Sequence, residues 1–267
     1  MMNGLQLLSE GKAWAYRDKV FFTDPPGSPR IDAVLPIGHE NIILAEHMYI
    51  PDGATVLDLC TGSGVLAIFA ADKASKVVGT DINPRALEFA KFNAQLNGVD
   101  QKIEWKLGSL FAPVRGMKFD TILANPPFEP TPKEWMNYLH SDGGEDGLTV
   151  VRQILAQISD HMSPSGCFHM IIWVTESSLY ILDEIKSVFC AERVTIRFLG
   201  EFSLQAYRAQ QMKRSELLGG PLTVALPQTT ESVHYLCIQI TADGEASNKL
   251  AEVSSDEKAI QVTGSIL

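Results

Sequence analysis

Residues Val56 to Ile68 constrain the fold more than any other stretch of this chain. Val56-Leu57-Asp58-Leu59 is short and apolar, the pattern of a strand covered on both faces. It ends at Cys60-Thr61-Gly62-Ser63-Gly64 and runs directly into Val65-Leu66-Ala67-Ile68, an apolar helix pattern. A buried strand followed by a tight Gly-x-Gly turn and a helix packs well only if the helix covers the sheet and the next strand returns parallel.

The sequence continues in that alternation. Thr55 to Leu59 is predicted as a strand, Ser63 to Ala71 as a helix and Lys76 to Thr80 as a strand. Asn83 is placed to cap a helix with Pro84 in its first position and Gly98 at its stop. Further strands are expected over Ile103 to Leu107, Phe119 to Ala124, Cys167 to Thr175, Arg193 to Leu199 and Val233 to Thr241. Helices are expected over Leu148 to Met162, ended by Ser163-Pro164-Ser165-Gly166, and over Ser178 to Phe189. Such alternation implies an α/β fold with a doubly wound, mostly parallel sheet.

The length of 267 residues suits one such domain with additions. Residues 1–50 read as an N-terminal extension that caps the substrate side, 51–241 as the main domain with an insert at 200–232, and 242–267 as a polar tail. Within the extension, Leu5 to Tyr16 reads as a short amphipathic helix and Val20-Phe21-Phe22 as a strand ended by Asp24-Pro25-Pro26-Gly27. Gly38 to Tyr49 reads as a helix with Ile42, Ile43, Leu44 and Met48 on its apolar side. The insert holds a helical stretch, Leu204 to Leu218, and the tail ends in Ala259 to Leu267, which reads as an edge strand.

The formal net charge of -10 disfavours a tight grip on naked nucleic acid, and the basic residues Arg208, Lys213 and Arg214 are too sparse to offset it. Cys60, Cys167, Cys190 and Cys237 are widely spaced, in neither a zinc nor a redox pattern, and three of them sit in apolar runs. A reducing compartment follows, and with no signal-peptide pattern and apolar runs too short for a bilayer the cytoplasm is expected. The six histidines show no ligand spacing, so no metal is expected.

The turn after the first buried strand is a nucleotide-type site at a switch point of the sheet. Gly62, Gly64 and Ala67 satisfy the G-x-G-x-x-G/A fingerprint, which alone would admit NAD and an oxidoreductase. Asp58 argues for a different ligand. A carboxylate before the turn suits an ammonium, which S-adenosylmethionine carries, rather than a diphosphate. Asp81, at the end of the next strand, can take ribose hydroxyls of either cofactor, and Ile82 beside it can pack on adenine.

Asn125-Pro126-Pro127-Phe128 follows the strand Phe119 to Ala124. Two prolines remove two backbone donors, so the segment continues neither as a helix nor as a paired strand. The carbonyls of Asn125 and Pro126, the Asn125 side chain and the Phe128 ring together make a socket for a planar NH2 group. Read alone, the Pro-Pro pair is turn punctuation; after the Asp58 turn it reads as catalytic.

From Thr55 to Thr175 the chain resembles the class I S-adenosylmethionine-dependent methyltransferases, and within them the HemK/PrmC-like NPP[YF] amino-methyltransferases. The residues that carry the resemblance are Asp58 to Gly64, Gly79-Thr80-Asp81-Ile82-Asn83-Pro84, Gly108-Ser109-Leu110-Phe111, and Asn125 to Phe128. Gly143-Gly144-Glu145-Asp146-Gly147-Leu148 resembles the GG-x-DGL segment of the glutamine methyltransferases. The resemblance implies a seven-stranded Rossmann-like sheet with an antiparallel final strand. It implies a cofactor held by Asp58, Cys60, Thr61, Gly62, Gly64, Asp81, Ile82, Ser109, Leu110 and Asn125, with catalysis by Asn125, Pro126, Pro127 and Phe128. The expected reaction moves a methyl group to an amide or amine nitrogen of a protein glutamine or a small molecule. The alternative is a purine of ribosomal or transfer RNA, which Phe128 in place of the usual Tyr favours and the acidic charge opposes.

Overall fold

A computed structural model describes residues 9, 11–26, 28–131, 138–189, 193–203 and 232–242. A hairpin of β1 (Lys12–Tyr16) and β2 (Lys19–Thr23) leads into α1 (His39–His47). The alternating unit then runs β3 (Thr55–Leu59), α2 (Val65–Ala70), β4 (Lys76–Asp81), α3 (Pro84–Leu96), β5 (Ile103–Leu107) and β6 (Phe119–Ala124). After β6 come α4 (Thr149–Leu155), α5 (Ile158–His161), β7 (Met162–Thr175), α6 (Ile181–Val188), β8 (Val194–Ser203) and β9 (Ser232–Thr241).

Strands β3 to β9 form one sheet in the order β5-β4-β3-β6-β7-β9-β8. Neighbours pair in parallel from β5 to β7, and β9 runs antiparallel to both β7 and β8. The expected seven-stranded, doubly wound sheet with its antiparallel final strand is therefore present. One face buries Leu57, Leu59, Ile122, Phe168, Met170 and Ile172 under α4, α5 and α6; the other buries Val56, Leu123 and Ile171 under α1 and α2. Chain order reverses at β3, where β4 lies on one side and β6 on the other, so their carboxyl ends open a crevice.

The hairpin is stitched to α3 by two asparagines. Asn97 Oδ1 accepts from the Val20 amide at 3.0 Å and its Nδ2 donates to the Val20 carbonyl at 2.7 Å. Asn93 treats Phe22 the same way, at 2.7 and 3.0 Å. Four helical residues rise about 6 Å and two strand residues about 6.7 Å, so side-chain amides one turn apart match alternate residues of β2. Phe21 points the other way, fully buried and 5.8 Å from the Phe69 ring. A buried ion pair, Arg85 with Asp24, fixes the segment after the hairpin to α3.

Three expectations need correction. Lys12–Tyr16 is a strand, not the end of a helix, because pairing with β2 across a turn at Arg17 overrides a pattern that fits either period. The helix expected over 148–162 breaks after Leu155 into α4 and α5. Ser163 to Gly166, expected as a turn, belongs to β7: the pairing with β6 shifts register there, and Ser163 Oγ donates to Asp120 Oδ1 at 2.9 Å. The expected insert helix, the basic residues Arg208, Lys213 and Arg214, the edge strand at 259–267, Cys190 and residues 5–8 and 10 of the expected first helix lie outside the described residues. Among the described residues no helix is long and apolar enough to cross a membrane.

Candidate functional site

Three loops meet at the carboxyl ends of β3, β4 and β5, and Asp81 ties them together. Its Oδ2 accepts from the Gly62 amide at 2.8 Å, its Oδ1 from the Asn83 amide at 2.8 Å, and its carbonyl from the Gly108 amide at 2.9 Å. Burial pushes the Asp81 pKa up against the pull of these backbone donors. Cys60 and Leu110, neither of them glycine, hold φ of +55° and +46° at the loops after β3 and β5. Backbone strain of this kind concentrates at binding sites, where packing over-determines it.

Asp58 lies one layer deeper than the sequence suggests. It is 1% exposed, beneath the turn, where Oδ2 accepts from Thr61 Oγ1 and from the Ala67 amide at 3.1 Å. Oδ1 is buried with no hydrogen-bond partner among the described residues. Desolvation raises its pKa to about 7, opposed by the Thr61 and Ala67 bonds, with the nearby Asp81 charge adding to the rise. Burial also drives the Cys60 thiol well above its usual range.

The two glycines of the turn do different work. Gly62, at φ +55°, has nothing nearer to its missing Cβ than the Cys60 carbonyl at 4.0 Å, so its free side is available to a ligand. Gly64, at φ +84°, is demanded by packing instead: a Cβ there would stand 2.9 Å from the Trp105 ring and 3.1 Å from Ala90 Cβ. Gly79 meets the same indole, with a Cβ only 2.5 Å away. Ile82 is 56% exposed at the rim, and Ser109 is exposed beside half-buried Leu110. An orphaned carboxylate oxygen, an open glycine and an exposed apolar side chain fit a ligand with a cationic end and a flat apolar base.

Asn125 to Phe128 leave the end of β6, next to β3. The Asn125 side chain is half-buried and makes no hydrogen bond to a described residue. Pro126 is buried, and the Phe128 ring meets Trp173 edge-on at 5.6 Å and 73°. Trp173, at the end of β7, has no motif around it and is invisible to sequence reasoning as a site residue.

Gly143 to Leu148 hold the backbone that follows this motif. The Glu129 amide donates to the Ser141 carbonyl at 3.0 Å, and the Glu129 carbonyl accepts from the Gly143 amide at 2.9 Å. The Thr131 amide donates to the Gly144 carbonyl at 2.7 Å. Asp146 caps the start of α4 through the Leu148 amide at 2.9 Å and accepts from Arg152 Nη1 at 2.7 Å and from Tyr180 Oη at 2.8 Å. The GG-x-DGL segment is thus a clamp on residues 128–131. Trp135 lies outside the described residues, and His140 stacks on Tyr138 at 5.4 Å. The described residues contain no group of three His, Cys, Asp or Glu side chains placed for a metal ion.

The chain is 41% identical over 121 residues to the ribosomal protein uL3 glutamine methyltransferase of Bradyrhizobium diazoefficiens, covering 42% of this chain and 38% of that protein. It is 30% identical over 151 residues to the release factor glutamine methyltransferase of Geobacter sulfurreducens, covering 52% of each. The chain thus spans about half or less of the length of these relatives. Its fold is that of the solved SAM-dependent methyltransferase from Agrobacterium tumefaciens, with a TM-score of 0.55 at 17% identity over 88% of this chain and 71% of that one. The model of the methyltransferase small domain matches residues 40–196, and the chain belongs to that family.

Proposed function

We propose that this chain is an S-adenosylmethionine-dependent N-methyltransferase acting on a planar carboxamide, the side chain of a glutamine in a protein. The observation that carries the reading is the Asn125-Pro126-Pro127-Phe128 segment at the tip of β6, beside the Asp58 turn at the tip of β3. The names of the relatives support the acceptor class. When bound, the cofactor supplies an electrophilic methyl group on a sulfonium.

The turn residues Cys60, Thr61 and Gly62 hold the amino-acid end of the cofactor, with the Asp58 charge beneath them and Gly64 letting the turn pack on Trp105. Asp81 uses its remaining lone pairs on the ribose, and Ile82, Ser109 and Leu110 border the base. A carboxamide nitrogen is a weak nucleophile because its lone pair is delocalised into the carbonyl. Asn125 Oδ1 and the Pro126 carbonyl accept its two N–H bonds, hold it in reach and favour the nitrogen as it becomes tetrahedral. Phe128, braced edge-on by Trp173, stacks on the amide plane. Most of the acceleration comes from this positioning. The surplus proton leaves to solvent after transfer, so no strong base is needed. Residues 24–34 of the extension form the cap over the site.

Calorimetry with S-adenosylhomocysteine and with NAD tests the cofactor, and preference for NAD overturns the reading. Incubation with methyl-labelled cofactor and an extract split into protein, RNA and small molecules tests the acceptor. Label should enter protein and be freed as methylamine by acid hydrolysis of the methylated amide. Label confined to RNA rejects the glutamine assignment.

A further inference from the structure

Two neighbouring carbonyls of the N-terminal extension are held from opposite sides of the crevice. The Asp32 carbonyl accepts from Asn83 Nδ2 at 2.9 Å, and the Ile31 carbonyl accepts from the Leu139 amide at 3.1 Å. Asn83 caps α3, just past Asp81 at the tip of β4. Leu139 belongs to the segment that follows Asn125 to Phe128 from the tip of β6. Both strands flank β3, so their tips lie two strand spacings apart, about 10 Å. One hydrogen bond to each of two adjacent carbonyls covers a distance of that order.

The two attachments differ in strength. On the α3 side the segment is fixed by buried contacts: Arg85 pairs with Asp24, the Val34 amide donates to Asp24 Oδ2 at 2.9 Å, and Ala33 and Val34 are both buried. On the acceptor side, Ile31 and Leu139 are 50% and 41% exposed. Their link is a single backbone hydrogen bond, of the kind whose net worth is small enough to open readily.

We propose that Ile31-Asp32 is a strap across the mouth of the crevice and that the Ile31–Leu139 bond is its latch. With the latch closed, the cofactor is enclosed above the turn after β3 and residues 138–142 are held beside the strap. With the latch open, cofactor exchanges. Ile31 and Leu139 are positioning residues in this scheme. The proposal rests on the methyltransferase reading above.

Proline at 139 isolates the latch. The Tyr138 carbonyl accepts from the Ser141 and Asp142 amides, both at 3.1 Å, so Leu139 is the second residue of a turn, where proline is favoured. Leu139→Pro therefore removes the donor and keeps the turn, while Leu139→Ala keeps the donor. Release of labelled S-adenosylhomocysteine should be roughly fivefold to tenfold faster from Leu139→Pro and unchanged for Leu139→Ala. Equal release from wild type and Leu139→Pro overturns the latch, and so does equal acceleration by both variants. Should Leu139→Pro fail to fold, exchange of the wild-type Leu139 amide decides: it should slow when S-adenosylhomocysteine binds, and an unchanged rate rejects the latch. Failure of the wild type to bind S-adenosylhomocysteine at all refutes instead the reading beneath it.

Discussion

Gly147 lies against the carbonyl of Phe128, so close that a Cβ on residue 147 would stand 2.4 Å from that oxygen. The same glycine holds φ +77°. Gly147→Ala must therefore adopt left-handed backbone at a cost of about 1–2 kcal/mol and also push the Phe128 backbone outward. Turnover should fall roughly 100-fold, because a displacement near 1 Å at a reacting group carries that penalty. Affinity for S-adenosylhomocysteine should hold within about threefold, since the disturbance is local to residues 128–131; calorimetry beside single-turnover kinetics separates the two effects.

Asn125→Ala removes the proposed acceptor for the substrate amide without touching the turn after β3. Turnover should drop about 10²- to 10³-fold, the usual effect of losing one transition-state hydrogen bond. Cofactor affinity should change little. Near-normal turnover would show that the side chain is not part of the acceptor socket.

On the proposed reading, cofactor binding should depend on pH through Asp58. Its pKa is raised from 3.8 to about 7 in the folded protein, so the fold favours the protonated form. The stability it contributes is present below pH 3.8 and lost as pH rises from 3.8 to 7. A cationic ligand favours the ionised form, so affinity for S-adenosylhomocysteine should rise from pH 6 to 8 with release of a proton. Asp58→Asn should flatten that rise and weaken binding. The same change should stabilise the ligand-free protein at pH 8 by up to about 4 kcal/mol. Calorimetry in buffers of different ionisation enthalpy counts the proton.

His169 acts in the opposite direction. It is fully buried in β7; Nε2 lies 3.3 Å from the Tyr49 amide, while Nδ1 has no hydrogen-bond partner among the described residues. Burial, aided by the Arg197 charge, lowers its pKa from 6.5 to about 3. Its contribution to stability is present above pH 6.5 and lost as pH falls from 6.5 toward 3, by about 1.4 kcal/mol per unit. Asp58 acts with opposite sign over the same window, so the difference between proteins is the readout: in urea unfolding at pH 7, 6 and 5, His169→Gln should gain on the wild type by about 1.4 kcal/mol per unit as pH falls below 6.5.

Asp24→Ala takes from Arg85, whose side chain is only 9% exposed, the carboxylate it pairs with. Breaking a buried pair in this way costs about 3–5 kcal/mol. Residues 24–34 should become the first site of tryptic cleavage, at Arg30. An unaltered digestion pattern would mean that the ion pair does not hold the segment.

Much of the core was legible because its signals are local. Phe119 to Ala124 has the strand bounds read from sequence, and Asn83 accepts from the Arg85 amide with Pro84 in the first helical position, as that dipeptide predicts. Misreadings came where distant partners decide. Lys12–Tyr16 owes its strand to β2, and Ser163 owes its extended backbone to Asp120 on β6. Within the site, Gly64 reads as room for a ligand yet makes room for Trp105, and Gly143 to Leu148 read as a subgroup signature yet also clamp residues 128–131. The strap left no trace in the sequence because its contacts run through the backbone carbonyls of Ile31 and Asp32, which every residue type possesses.

Trp105 brings an optical consequence. Its indole is seated against Gly64 in the turn after β3 and Gly79 near the end of β4, behind the loops proposed to hold the cofactor. Any settling of those loops alters the surroundings of that ring, so in a chain whose other three tryptophans are replaced by phenylalanine its emission spectrum reads out occupancy without a label.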